Sequence, residues 1–336
     1  MTILSIVVPI FNGAQHLQPF MASVEPYLAT GDVELILIND GSTDITGTLL
    51  DAAATHRAVR VLHLANGGQG RAKNTGALTA TGDYLWFVDV DDVFEEQDAE
   101  ALLEVLRRGN HEVVLTGYRR IDVETLKELD RYTPSLFAGT DGRSQLDRLE
   151  SAGHSAWNKI ISSDLFHAPG MSFLEGVIHE DMAVVPLWIS RASSVYFDPC
   201  IRYRYGVRVS SSINGNFTRG GDLLVALNHL VEHGSSDPVR VGRSISKEVF
   251  FYTLPRWCDG ISKGSVPLNE YRRYHAKLMS LVRELPSSFR DRRVQGFSAL
   301  SRGYMSLVER GFWFLPYAVF QLRRVLVELR SKRAST

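Results

Sequence analysis

Short β-branched runs alternate with helix-length patterns through the first 120 residues, and this alternation restricts the fold more than any other feature of the chain. Ser5 to Ile10, Glu34 to Asn39, Val59 to Leu64, Tyr84 to Val88 and Glu112 to Thr116 read as strands. Leu17 to Leu28, Ile45 to Ala54, Arg71 to Ala80 and Gln97 to Leu106 read as helices between them. Strands separated by helices predict an α/β class: a mainly parallel, Rossmann-like sheet with helices on both faces. Open sheets of this kind bind ligands beyond the carboxyl ends of their strands, so the residues that follow each strand are read as one set.

A length of 336 residues is enough for two domains. The boundary is placed near Gly215 to Gly221, giving 1–215 as the α/β domain and 216–336 as a helical one. The helical part is marked by Leu223 to Val231, Ile245 to Leu254, Tyr271 to Glu284 and Phe297 to Arg310. Charge is balanced, 37 Lys and Arg against 38 Asp and Glu, which excludes a global pull towards nucleic acid. Two cysteines, Cys200 and Cys258, make no disulfide framework and fit a reducing, cytoplasmic setting. The opening Met1-Thr2-Ile3-Leu4 lacks the basic start of a signal peptide, and no run reaches the ~20 apolar residues of a membrane span. The last segment sets Phe312, Trp313, Phe314, Tyr317 and Phe320 beside Arg323, Arg324, Arg330, Lys332 and Arg333. That pairing suits peripheral contact with the inner face of an anionic membrane, a homo-oligomer contact, or packing on the segment's own domain.

Three strand ends are polar. After the first comes Pro9-Ile10-Phe11-Asn12, after the second Asn39-Asp40-Gly41-Ser42-Thr43-Asp44, and after the fourth Asp89-Val90-Asp91-Asp92. Three carboxylates crowded at one strand end repel one another unless a cation is present, and hard oxygen ligands favour Mn²⁺ or Mg²⁺. The same acids would also suit a loop capping the next helix. Asp40 is placed to accept a hydrogen bond from a base N–H such as that of uracil, while Ser42 or Asp44 caps the following helix. Asn66-Gly67-Gly68-Gln69-Gly70-Arg71-Ala72-Lys73-Asn74 is a glycine-rich entry to a helix where backbone N–H groups and two cations meet phosphate or ribose. A dinucleotide fingerprint needs its glycines directly after the first strand, and their absence there disfavours a nicotinamide enzyme.

Together these motifs resemble the family 2 nucleotide-sugar glycosyltransferases of GT-A fold, in the non-processive bacterial cell-surface polysaccharide or teichoic-acid type. The resemblance rests on Pro9-Ile10-Phe11-Asn12, Asp40-Gly41-Ser42-Thr43-Asp44, Ala72-Lys73-Asn74-Thr75-Gly76 and Asp89-Val90-Asp91-Asp92, in that order. It implies a UDP-sugar donor, with Phe11 and Asp40 near the nucleoside, Arg71 and Lys73 near its edge, and Asp91 with Asp89 holding a divalent metal. Pro9, Asn12, Gly70, Asn74 and Val90 complete the donor set drawn from those motifs. Two departures bear on donor selectivity: Asn39 stands where the family has the first Asp of a pair, and Lys73 where Arg is commoner.

Further along, Glu180-Asp181 matches the family's Glu-Asp pair, which implies Asp181 as the catalytic base and Glu180 as its orienting neighbour. The base's task is to take a proton from an acceptor hydroxyl, and it requires one carboxylate within hydrogen-bond reach. Trp157-Asn158-Lys159 resembles a family segment placed to line the acceptor side, with Trp157 stacking on a sugar or, alternatively, buried in the core. Arg208 and Ser211, in the stretch after Tyr203-Arg204-Tyr205, look like the part that closes over the donor diphosphate. Arg256-Trp257 recur in processive members, but Thr253 replaces the glutamine of that motif and disfavours processive synthesis. The expected activity is inverting transfer of a sugar to a glycan, a polyol-phosphate polymer of teichoic-acid type, or a lipid-linked acceptor. A catalytically silent glycan-binding scaffold on the same fold would have lost the carboxylates, and a nucleotidyltransferase would carry its glycine loop straight after the first strand.

Overall fold

The structure is a computed structural model that describes residues 2–95, 99–109, 111–134, 153–178, 180–207, 220–255, 257, 266–291, 298–312, 314–316 and 318. Arg208, Ser211 and all residues after 318 lie outside the described residues, so the expectations placed on them are not addressed by it. The chain divides into two compact units, 1–215 and 216–336.

In the first unit the α/β alternation runs β1 (Leu4–Ile10), α1 (Ala14–Leu28), β2 (Val33–Asp40), α2 (Thr46–Ala53), β3 (Val59–Leu64), α3 (Gln69–Thr79) and β4 (Tyr84–Phe87). It continues with β5 (Val93–Phe94), α4 (Ala99–Arg107), β6 (Val113–Asp122), β7 (Glu128–Tyr132), β8 (Lys159–Ser162), α5 (Ser163–His167), α6 (Glu180–Arg191) and β9 (Val195–Val207). These strands form one sheet in the order β3-β2-β1-β4-β8-β6-β9-β5, with β7 paired to β6. The β3, β2, β1 and β4 pairings are parallel, as are β6 and β9, while β8 enters antiparallel between β4 and β6. The architecture is the GT-A type of α/β sheet, with a helical C-terminal part.

All seven residues of β1 and all eight of β2 are buried, the signature of strands covered on both faces. On one face Leu4, Ile6 and Val8 join Leu17, Phe20 and Val24 of α1 in the core. On the other, α3 lies so close that a Cβ on Gly76 would come within 2.5 Å of Val7 and 2.8 Å of Ile38. Trp86 anchors the centre, edge-on to Tyr27 at 5.9 Å and to Phe94 at 4.9 Å. Its indole N–H, which needs a partner when buried, donates to the Trp157 carbonyl at 2.7 Å.

The second unit is helical: α7 (Gly220–His233), α8 (Pro238–Lys247) running on into a π-helical turn at Glu248–Thr253, α9 (Leu268–Glu284), α10 (Ser287–Arg290) and α11 (Ala299–Glu309). Asp237 caps α8 by accepting the Arg240 N–H at 3.0 Å, with Pro238 in the first turn, and Ser298 caps α11 in the same way. Leu223, Leu227, Val241, Ile245, Tyr271 and Leu278 form part of the buried interior. Among the described residues, no helix is long and apolar enough to cross a membrane.

Candidate active site

The carboxylates of Asp89, Asp91 and Asp92 gather just past the end of β4, with oxygens all within 4.8 Å of one another. Asp92 is 2% exposed, and both its oxygens are taken: the Tyr203 hydroxyl donates to one at 2.9 Å and the Gly206 N–H to the other at 2.8 Å. Tyr203 in turn accepts the Asp89 N–H at 3.1 Å, so β9 is stitched to the cluster through one phenol. Burial, reinforced by Asp89 and Asp91, pushes Asp92 well above the usual carboxylate range. Burial also pushes Asp89 up to about 7; Lys73 pulls against it, and Asp91, Asp181 and Glu180 add to it. Such crowding is costly without a cation. Half-buried Asp89 and Asp91 offer hard oxygen donors, so these residues fit a divalent ion of the Mn²⁺ or Mg²⁺ kind.

A second centre forms around Lys73. The sequence places this residue at a nucleoside edge, but the fold turns it inward from α3, where it is 3% exposed. Its ammonium lies 3.0 Å from Glu180 Oε1 and 3.1 Å from Asp181 Oδ1. Burial works against its charge, yet Asp181, Glu180 and Asp89 outweigh that and raise its pKa. Both acids sit in the first turn of α6, where a helix favours negative charge. Glu180 is buried, and its burial raises its pKa; Asp181 keeps 26% of its side chain exposed. The other Asp181 oxygen accepts the Ala156 N–H at 3.0 Å.

Past the ends of the parallel strands, Phe11 stands 53% exposed after β1, while Pro9 and Val90 are buried. Asn12 adopts φ 51°, a left-handed conformation that Asn tolerates. Its Oδ1 accepts the Thr43 N–H at 2.8 Å and its own N–H donates to Ser42 at 2.9 Å, so it ties two strand ends together. Asp40 accepts the Gly67 and Gly68 N–H groups, each at 2.8 Å, and thereby holds the glycine loop; a carboxylate engaged this way retains further lone pairs. Arg71, half-buried, reaches the Ala65 carbonyl at 3.4 Å. Asn74 grips the backbone of Phe173 from both sides, at 2.9 and 3.0 Å. Gly70 is dictated by packing, because a Cβ there would lie 2.1 Å from the Leu174 carbonyl oxygen. Asn12, Gly70 and Asn74 thus brace the loops around the site.

Of the three acceptor-side candidates, two are buried and Trp157 is partly exposed. Trp157 stacks on Tyr203 at 4.9 Å and on Tyr205 at 5.2 Å, so its ring is engaged by the protein. Asn158 and Lys159 are 0% and 1% exposed. The Lys159 ammonium donates to Gly153 O, Ser155 O and Asn158 Oδ1 at 3.0, 2.8 and 2.9 Å. The polar heads of Asn158 and Lys159 meet within their own turn. The Tyr203 hydroxyl and the Ala156 N–H are the contributors that sequence reasoning left out; the Tyr203-x-Tyr205 repeat was the one visible trace of the first.

With this geometry in place, the comparisons with known proteins are direct. The family model for Glycosyl transferase family 2 matches residues 5–168. The glycosyltransferase GlyG of Streptococcus pneumoniae serotype 4 is 30% identical over 228 residues, covering 64% of this chain and 74% of that one. This chain belongs to glycosyl transferase family 2. An uncharacterised family relative, YibD of Escherichia coli K12, is 24% identical over 275 residues, covering 77% of this glycosyltransferase and 79% of its own length. In fold the chain is similar to S. aureus TarS 1-349 in complex with UDP-GlcNAc, with TM-score 0.71 at 16% identity, over 96% of this chain and 92% of that one.

Proposed function

We propose that this glycosyltransferase is an inverting, metal-dependent enzyme that moves a sugar from a UDP-sugar to a hydroxyl of a cell-surface glycan, a polyol-phosphate polymer or a lipid-linked acceptor. The observation that carries the reading is the placement of Lys73: one buried ammonium holds Asp181 at 3.1 Å and acts on Asp89 electrostatically. A candidate base and a candidate metal ligand therefore belong to one charged unit. The complex of the similarly folded TarS with UDP-GlcNAc supports a uridine donor.

Asp181 takes the proton of the acceptor hydroxyl as that oxygen attacks the anomeric carbon, and the bond to the diphosphate breaks on the opposite face, inverting the centre. Lys73 and the Ala156 N–H each occupy one lone pair of its oxygens and leave others for the incoming proton. Asp91 and Asp89 would hold Mn²⁺ or Mg²⁺, which when bound neutralises charge on the leaving diphosphate. Phe11 offers an exposed ring on which a uracil stacks, beside Asp40. In the C-terminal unit, Phe312 and Phe314 are 44% and 50% exposed ahead of the basic residues 323–333, which supports contact with an anionic membrane face where a lipid-linked acceptor is met.

Calorimetric titration with uridine-, guanosine- and thymidine-diphosphate sugars, with and without Mn²⁺, tests the reading. Metal-dependent binding of a UDP-sugar, followed by release of UDP, is the expected result. Binding of none would favour a silent scaffold on the same fold.

A further inference from the structure

Within the Trp157-Asn158-Lys159 motif, Asn158 and Lys159 have no surface to offer an acceptor, and burial pulls the Lys159 amino group down to about 7 against the opposing pull of Asp181. An ammonium has three N–H donors, and in Lys159 all three are spent on oxygens. Two of those oxygens, Gly153 O and Ser155 O, belong to the backbone just before Ala156. Ala156 is 1% exposed; its carbonyl accepts the Lys159 N–H at 2.9 Å, which closes the turn. Asn158 O accepts the Thr116 N–H at 3.0 Å, which fixes the turn to β6. The polar group that emerges from this assembly towards the site is the Ala156 N–H, and it lies on Asp181 Oδ2 at 3.0 Å.

We propose that Lys159 is a positioning residue for Asp181, acting through the 153–159 turn to aim the Ala156 N–H at the carboxylate. The inference rests on Asp181 being the base. Lys73 holds Oδ1 from the α3 side, and the turn holds Oδ2 from the β8 side. With both oxygens held, the plane of the carboxylate is fixed while its partly exposed face stays open to a hydroxyl. Reacting groups are sensitive to such placement: a shift of about 1 Å by a residue remote from the chemistry costs up to roughly 100-fold in rate.

The test uses the full chain, UDP-GlcNAc as probe, and UDP release as the activity readout. Lys159→Met should lower kcat by at least about tenfold and leave donor KM within about twofold, because the donor side is untouched. Amide exchange of Ala156 provides a readout that needs no donor: it should quicken by about tenfold or more in Lys159→Met and also in Asp181→Ala. In the Asp181→Ala background, adding Lys159→Met should not lower the residual rate further. If Lys159→Met does not fold, Asn158→Ala removes one of the three oxygens and should give the same changes in smaller degree. Unchanged protection of Ala156, a loss carried by donor KM, or a further fall in the Asp181→Ala background would each overturn the proposal. A wild-type protein that releases no UDP would instead count against the donor reading, and Ala156 exchange would still decide this one.

Discussion

Two ends of one sheet treat the same chemical group in opposite ways. At the amino end, Glu34 is 8% exposed and accepts hydrogen bonds from Ser5 Oγ at 2.7 Å, Thr81 N at 2.6 Å, Thr81 Oγ1 at 2.8 Å and Arg60 at 3.4 Å. Burial alone would raise its carboxyl, but Ser5 and Thr81 outweigh burial and hold it below the usual range. At the carboxyl end, Asp89 and Asp92 are driven upwards. Burial is common to both ends; what differs is the ratio of donors to like charges. The amino end is a finished joint that ties β1, β2 and the turn before β4, whereas the carboxyl end carries more negative charge than its donors satisfy, an arrangement suited to a divalent cation.

The comparison is broken most forcefully at Asp181. Asp181→Asn should reduce kcat by roughly 1000-fold, within the range of general base catalysis, while calorimetry shows donor binding retained. Collapse of donor affinity with transfer preserved would reassign the residue. Next, Asp91→Asn should weaken Mn²⁺ binding on the order of 100-fold, yet leave the melting temperature of the metal-free protein unchanged or higher, since it removes one of three repelling charges. If it destabilised the protein strongly instead, the cluster would be structural like Glu34.

Smaller effects sharpen the contrast. Saturating Mn²⁺ at about 100 times its Kd should add about 2.7 kcal/mol to the stability of the wild type and little to Asp91→Asn, as read by thermal melts. Glu34→Gln should cost about 2 kcal/mol at neutral pH, from lost charge-assisted hydrogen bonds, with kcat unaltered. The sign of its pH dependence follows from a lowered folded value: the stabilisation is fully present above the ordinary Glu range and disappears as pH falls through the folded value. Denaturant melts of wild type and variant should therefore draw together as pH falls below the ordinary Glu value of about 4.3 and meet only once it passes below the lowered folded value. Melts that stayed apart in acid would mean that Glu34 acts through packing rather than charge.

The strands and helices of the first unit were legible because their burial on two faces leaves continuous apolar runs, as in Leu35 to Ile38, with β-branched stretches at strand length. The carboxylate cluster was legible too, since Asp89, Asp91 and Asp92 are neighbours in sequence and need only one turn to meet. The surroundings of Lys73 and Lys159, and the partners of Trp157, were not. A lysine in a polar motif reads as surface-facing, and neighbours in sequence do not reveal that Glu180 stands 107 positions from Lys73, or that the ring stacked on Trp157 is that of Tyr203, 46 positions later. Placing β8 between β4 and β6 likewise depended on long-range pairing that local periodicity does not record.

By itself the sequence determined the α/β order, the family and the identity of the acids at the strand ends, because these follow from local periodicity and contiguous motifs. Only the tertiary structure decided which cations face inward and what they hold. That choice is set by where α3, β8 and α6 converge, and a buried ammonium is stable only where the folded chain brings enough oxygens to it.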